Sequence, residues 1–289
     1  MGHKLLAAIR SSRIGIGVVV GLLLMYVAGE VVWGQYGQRR RNRGYRNRYE
    51  ESSDPRNGVP DWQVDRRHRR DVFTFVRGRY TSAGWRDKWQ TDYPDSDLNF
   101  SYRLQELTSL RTDPDGLILD LDDPRLLEYP FLYVIEPGAM ALTESEVAGL
   151  RKYLLQGGFM MVDDFWGEDE YREFYSNLKR VLPEPEHEPV ELELDHKIFH
   201  MVYDLKEKPQ VPSIHAWWGG ARTERWDADV PHYKGVFDSK GRMMAIICHN
   251  TDLGDGWERE GLDPEYFREF SEKWSYPLGI NIVVYAMTH

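Results

Sequence analysis

The stretch Thr143 to Gly167, TESEVAGLRKYLLQGGFMMVDDFWG, constrains the fold more than any other part of the chain. Thr143 stands where it caps a helix, and Glu146 completes a capping box. Leu142 and Val147 occupy the positions of a hydrophobic staple. Val147, Leu150 and Leu154 then recur at helical spacing as a core-facing stripe, and Gly157 supplies a left-handed stop. Upstream, Phe131 to Ile135 is a short apolar run ending at Glu136-Pro137-Gly138, and downstream Phe159 to Val162 is another. A strand, a helix and a strand in that order predict a parallel crossover. Ligands of such sheets bind outside the carboxyl ends of the strands. Glu136, Asp163, Asp164 and Trp166 fall there.

The rest of the carboxyl-terminal part extends this pattern. Val72 to Val76 (VFTFV) reads as a strand, followed by about twenty residues rich in Arg, Trp, Asp and Gly. A connection that long suits a lid or a binding loop. Ser96 or Asp97 then caps a helix to about Leu110, and Leu117 to Leu121 is a further strand. A helix is expected over 168–182, with Tyr171, Phe174, Leu178 and Val181 on one face. Val190, Leu192 and Leu194 alternate with acids like an edge strand. The runs 233–237 and 242–248 flank Asp238-Ser239-Lys240-Gly241 as a hairpin. Asp263 and Pro264 open a helix to about Trp274, and Pro277 to Met287 is the last helix. Residues 71–289 are therefore expected to form an α/β domain, a flavodoxin-like doubly wound and mainly parallel sheet with a small antiparallel hairpin addition.

The amino-terminal part is different. Lys4, Arg10 and Arg13 precede an apolar segment, Ile14 to Ala28, in which a signal peptide and a single membrane anchor over 1–34 are both legible. Residues 1–70 carry 14 Lys+Arg against 6 Asp+Glu, and the remainder carries 23 against 41. The arginines from Arg39 to Arg48, interleaved with Asn, Gly and Tyr, make 35–70 a basic disordered linker suited to anionic lipid headgroups. An acidic folded part repels phosphates, which argues against nucleic acid as a partner. Export or anchoring in the cell envelope is the expected location, with a cytoplasm-facing membrane anchor as the alternative that the arginines favour. The lone Cys248 permits no intramolecular disulfide.

Two groups of residues carry chemistry. Asp163 and Asp164 adjoin at a strand end, so their side chains point to opposite faces, one toward a site and one toward the following turn. His249, Asn250, Asp252 and Asp255 follow another strand in the same way, and Asp164 with His249 is the catalytic pair expected of a hydrolase. Asp252, Asp255 and Glu258 suit a hard cation, but their spacing is not that of an EF-hand loop, and no metal or cofactor is assigned. Loop aromatics lie beside these acids: Trp85 and Trp89 in the long connection, Trp166, His215 with Trp217 and Trp218, and Trp257. Flat apolar faces beside hydroxyl acceptors are the surface chemistry of sugar recognition. The expected ligand set is Glu136, Asp163, Trp166, His215, Trp217, Asn250, Asp252 and Asp255 around one cleft. No P-loop, dinucleotide fingerprint, serine elbow or CxxC pair is present.

The segments TDYPDSDLNFSYRLQELTS, YPFLYVIEPG, GGFMMVDDFWG, DHKIFHMVYDLKEKPQVP, CHNTDLGDGWERE and YPLGINIVVYAMTH resemble a bacterial family known only as a domain of unknown function. More distantly, the layout is similar to trehalose-utilisation-like domains of the class I glutamine amidotransferase-like superfamily. Gly157-Gly158, Asp195-His196-Lys197-Ile198, Gly241-Arg242 and Cys248-His249 stand at the matching places. That resemblance implies a cysteine nucleophile at the turn after the Gly-Gly strand, but Asp163-Asp164-Phe165 stands there. Without a thiol at the turn, no thioester can form by that route. The expected function is binding of a polar, carbohydrate-like small molecule or glycan, with an Asp/His-dependent, metal-assisted hydrolase as one alternative. A membrane-tethered scaffold with protein partners is the other, because members of the resembled family are found near MoxR-type ATPases and von Willebrand factor A-type proteins.

Overall fold

A computed structural model describes residues 54–289 apart from 66, 68–70 and 85. The expected leader at 1–34, most of the expected linker and Trp85 lie outside the described residues. The sheet has seven strands: β1 (Val76–Arg79), β2 (Leu117–Asp120), β3 (Phe131–Ile135), β4 (Phe159–Asp163), β5 (Val190–Glu191), β6 (His232–Phe237) and β7 (Met243–His249). They lie in the order β2-β1-β3-β4-β7-β6-β5. The first five in that order are mutually parallel, and β6 and β5 add antiparallel at one edge.

The predicted crossover is present. β3 and β4 pair in parallel from Phe131↔Phe159 to Ile135↔Asp163, joined by α2 (Glu144–Leu155). The Thr143–Glu146 capping box is closed, and Glu146 also accepts the Thr81 N–H at 2.7 Å. Leu142 and Val147 are both buried as a staple requires. The two glycines after α2 do different work. Gly157 has φ +114°, a conformation that L side chains avoid, whereas a Cβ on Gly158 would sit 2.4 Å from the Tyr153 ring.

Burial on both faces explains why the central strands read as continuous apolar runs. On one face Phe75, Tyr133, Met161, Ile246 and Cys248 pack with α1 (Asp95–Leu107), α5 (Leu253–Glu258) and the last helix, α7 (Tyr276–Thr288). On the other face Leu132, Val134, Val162 and Ile247 pack with α2 and α3 (Gly167–Val181). A short helix, α4 (Ile214–Trp218), crosses before β6. Among the described residues no helix is long and apolar enough to cross a membrane.

Three local expectations need correction. The first strand is VRGR, not VFTFV, and Phe73 makes only an isolated bridge to Thr112. Its centre, Arg77, is fully buried, which a hydropathy pattern reads as loop. α1 begins at Asp95 with no side-chain cap, because Asp97 turns inward to meet that arginine. The helix expected from 263 to 274 is α-helical only over α6 (Pro264–Tyr266) and π-helical over Phe267–Ser275. There Ser275 presses on Gly256, where a Cβ would come within 2.6 Å, and its hydroxyl donates to Leu253 O at 2.5 Å. Within the stretch expected as linker, Trp62 lies against the domain, its indole donating to Thr112 O at 2.8 Å.

Candidate functional site

Each of three adjacent parallel strands ends in a left-handed, non-glycine residue. Glu136 follows β3 at φ 49°, Asp164 follows β4 at φ 54° and Asn250 follows β7 at φ 60°. Asp92, in the loop after β1, has φ 63°. Such residues are uncommon and cost about 1 kcal/mol or more each, so their concentration at one end of the sheet marks that end.

Carboxylates converge there. Oxygens of Asp164, Glu224 and Asp252 lie within 4.8 Å of one another, and so do those of Asp92, Asp252 and Asp255. Asp252 belongs to both groups. Each carboxylate arrives by a different route. Asp164 stands in the turn leaving β4, where its Oδ1 accepts the Trp166 indole N–H at 3.1 Å. Asp252 caps α5 by accepting the Asp255 N–H at 2.7 Å. Glu224 belongs to an exposed residue of the 219–230 loop, yet its carboxyl reaches inward to the two buried aspartates.

Asp92 is delivered by the loop that Arg77 pins. The Arg77 guanidinium meets Asp97, Ser96 Oγ at 2.8 Å, Trp89 O at 3.0 Å and Thr91 O at 2.9 Å, which occupies its whole fork of donors. Tyr80 closes the other end of the loop by donating to Ile135 O and Glu136 O, each at 2.8 Å. The loop is thus fastened over the site at both ends.

Crowding of acids moves their proton affinities. Burial first, then the charge of Asp255, pushes Asp92 up to about 7. Asp164 is held well above the usual carboxylate range by burial and then by Glu136 and Glu224. Asp252 is raised by burial and then by Asp164 and Asp92. Glu224 is raised by burial of its carboxyl and by Asp255 and Glu136. Glu258 is pushed to about 10 by burial and Asp92, although Arg259 Nη2 lies 2.5 Å from its Oε2 and opposes the shift. Burial and the mutual repulsion of Asp92 and Glu258 thus strengthen the hold of both carboxyl groups on their protons.

The sequence-derived residues fall into three groups. Asp164, Asp252, Glu136 and Trp166 border the cluster: Glu136 perturbs Asp164, and it carries Lys88 Nζ at 2.7 Å. On its outer side a cavity of about 490 Å³ is lined by Arg86, Asp87, Lys88, Gln90, Thr91 and Glu136. Asp163 and Asp255 are close but committed. Asp163 accepts the Leu253 and Gly254 N–H groups and the Tyr133 hydroxyl, and burial raises it to about 7. Asp255 accepts Ile214 N–H at 2.5 Å, the Tyr266 hydroxyl and Arg259 Nε.

The remaining expected residues do not join. His249 shares its sheet face with Ile247, so its ring packs among Phe165, Tyr171 and His232 beneath α3. Its Nε2 lies 3.0 Å from Gly167 O, its Nδ1 has no partner among the described residues, and burial lowers it to about 4. Asn250 braces the backbone, accepting from Gly167 N–H and donating to Val230 O. Trp217 packs on Phe270, and His215 is exposed beside Trp218. A second cavity, of about 400 Å³, lies at the amino ends of β1 to β3, remote from these acids.

Asp92 and Glu224 were not found in the sequence. Asp92 sits in Thr91-Asp92-Tyr93-Pro94 without hydrophobic periodicity to place it, and Glu224 lies in an irregular loop. The one usable signal was alternation along β7, which puts His249 opposite Cys248.

The profile of a family described as "Domain of unknown function (DUF4159)" matches residues 74–287, so the chain belongs to that family. No curated protein matches the chain.

Proposed function

We propose that this chain carries an amidotransferase-like, flavodoxin-like α/β domain without a cysteine nucleophile that binds a polar, carbohydrate-like ligand in the carboxylate-lined cleft. The observation that carries the reading is the meeting of Asp92, Asp164, Glu224 and Asp252 beyond the carboxyl ends of β4 and β7, the place where open α/β sheets bind ligands. The strand order from β2 to β7 supports the flavodoxin-like part. At the turn after β4 the residue is Asp164, and the single thiol, Cys248, is buried in the core.

Carboxyl groups crowded together, with burial raising their proton affinity, offer the mixed acceptors and donors that suit the hydroxyls of a polyol. Indoles supply flat faces for sugar rings: Trp166 is bonded to Asp164, and Trp226, beside Glu224, is 90 % exposed. Position argues against the pair Asp164 and His249 as acid and base, because the histidine faces the opposite layer. The apolar segment Ile14 to Ala28 and the arginines after it support attachment to, or export across, a membrane.

The test is calorimetric titration of chelator-treated, full-length protein with trehalose, sucrose and chitotriose. At least one should bind saturably, and Asp164→Ala should weaken it about tenfold, the loss of one hydrogen bond. Absence of binding by all three, or equal affinity in the variant, refutes the reading.

A further inference from the structure

We propose that Asp164, Glu224 and Asp252 bind a hard divalent cation of the calcium and magnesium class. The inference rests on the ligand-cleft reading for its location and adds what the cleft holds.

Neighbouring acids show what is unusual about these three. Asp97 has Arg77, Glu136 has Lys88, Asp255 and Glu258 have Arg259, and Glu170 has Arg225. Among the described residues Asp164, Glu224 and Asp252 form no ion pair. Three carboxylates brought together without a counter-charge repel one another, and burial strengthens the repulsion.

Asp164 and Asp252 are only 7 % and 3 % exposed. Each commits one oxygen to a protein donor, the Trp166 indole or the Asp255 N–H. The second oxygen of each accepts no hydrogen bond among the described residues. Asp92, which shares Asp252 with the adjoining triad, has its Oδ2 buried without a hydrogen-bond partner among the described residues, a rare state because it costs about 1–3 kcal/mol.

The geometry suits one ion. Oxygens on opposite sides of a calcium ion, at about 2.4 Å each, are about 4.8 Å apart, so a triad within 4.8 Å is close enough to share one ion. A donor set of three carboxylates, with neither thiolate nor imidazole, selects an oxygen-preferring cation over zinc or copper. Coordination positions beyond the three remain for water or for ligand hydroxyls. Glu224 is fixed despite its exposed loop. Arg225 Nη2 holds Glu170 at 2.7 Å, and Asp227 accepts the Glu168 N–H at 3.1 Å, which ties the loop to the first turn of α3.

The experiment uses full-length protein stripped with chelator and titrated with terbium(III), a luminescent substitute for calcium, under tryptophan excitation. Trp166, bonded to Asp164, is the adjacent sensitiser. Saturable emission is expected, displaced by calcium or magnesium. Glu224→Gln and Asp252→Asn should each weaken it by about tenfold or more, while Glu207→Gln, on the exposed surface, leaves it unchanged. Because Asp252 also caps α5, its variant can lose the fold, and the Glu224 variant on the loop keeps the proposal testable. Absence of saturable emission, or a Glu224→Gln titration matching the parent, overturns the proposal. Sugar binding that persists in chelator without terbium emission removes the cation alone. Terbium binding with no sugar bound removes only the ligand reading.

Discussion

Arg77→Met tests whether the buried arginine is what fastens the loop that carries Asp92. Arg77 is inaccessible to solvent, and its guanidinium holds both Asp97 oxygens, Ser96 Oγ and the carbonyls of Trp89 and Thr91. Methionine fills comparable space but leaves Asp97, itself 3 % exposed, as an unpaired buried charge. Breaking a buried pair by removing one partner costs about 3–5 kcal/mol, against about 0–1 kcal/mol for an exposed pair. With a urea slope of about 3 kcal/mol per M, the unfolding midpoint should fall by about 1–1.7 M. Asp97→Asn alone should also destabilise. The double variant should be milder than the sum by at least about 1.5 kcal/mol, because the charge left over in each single variant is gone. Additive effects, or a loss below about 1 kcal/mol for Arg77→Met, would refute the reasoning.

Cys248 lies on the buried face of β7, and burial pushes its thiol well above the ordinary value, so folded protein should resist thiol reagents and release no ammonia from glutamine. Cys248→Ser should change only stability, measured as melting temperature. In chelator-treated protein, Asp163 binds its proton up to about 7 when folded but only to 3.8 when unfolded. Its contribution is therefore present below 3.8 and lost as pH rises through about 7, by about 4 kcal/mol at most, and Asp163→Asn should flatten melting temperature against pH on that limb. His249 acts with the opposite sign: held to about 4, it withdraws stability as pH falls from 6.5 toward 4, and His249→Asn should remove that limb.

Legibility in the sequence followed the range of the physics. The β3–α2–β4 unit, the β6–β7 hairpin and α7 were readable because caps, turns and apolar runs are local signals. β1 begins four residues later than expected because only the tertiary partners of Arg77 make VRGR a strand with a buried centre. The π-helical segment was likewise invisible, since its contact at Gly256 comes from another element. At the site, Asp164, Asp252, Glu136 and Trp166 could be named because strand ends can be located from strands. Asp92 and Glu224 could not, since they depend on loops held by Arg77 and Arg225.

The same dependence bears on why Glu136, Asp164 and Asn250 are not glycine. Glycine would relieve the left-handed turn at each place but would give up the contacts that each side chain makes. Glu136 holds Lys88 and Thr91, Asp164 holds the Trp166 indole, and Asn250 bridges Gly167 to Val230. All three turns place a polar side chain at the carboxyl ends of the parallel strands. Strain at those three turns and crowding of acids above them are thus consequences of one arrangement. The sheet ends where its side chains are needed, and the loops after β1 and α4 are fastened down to meet them.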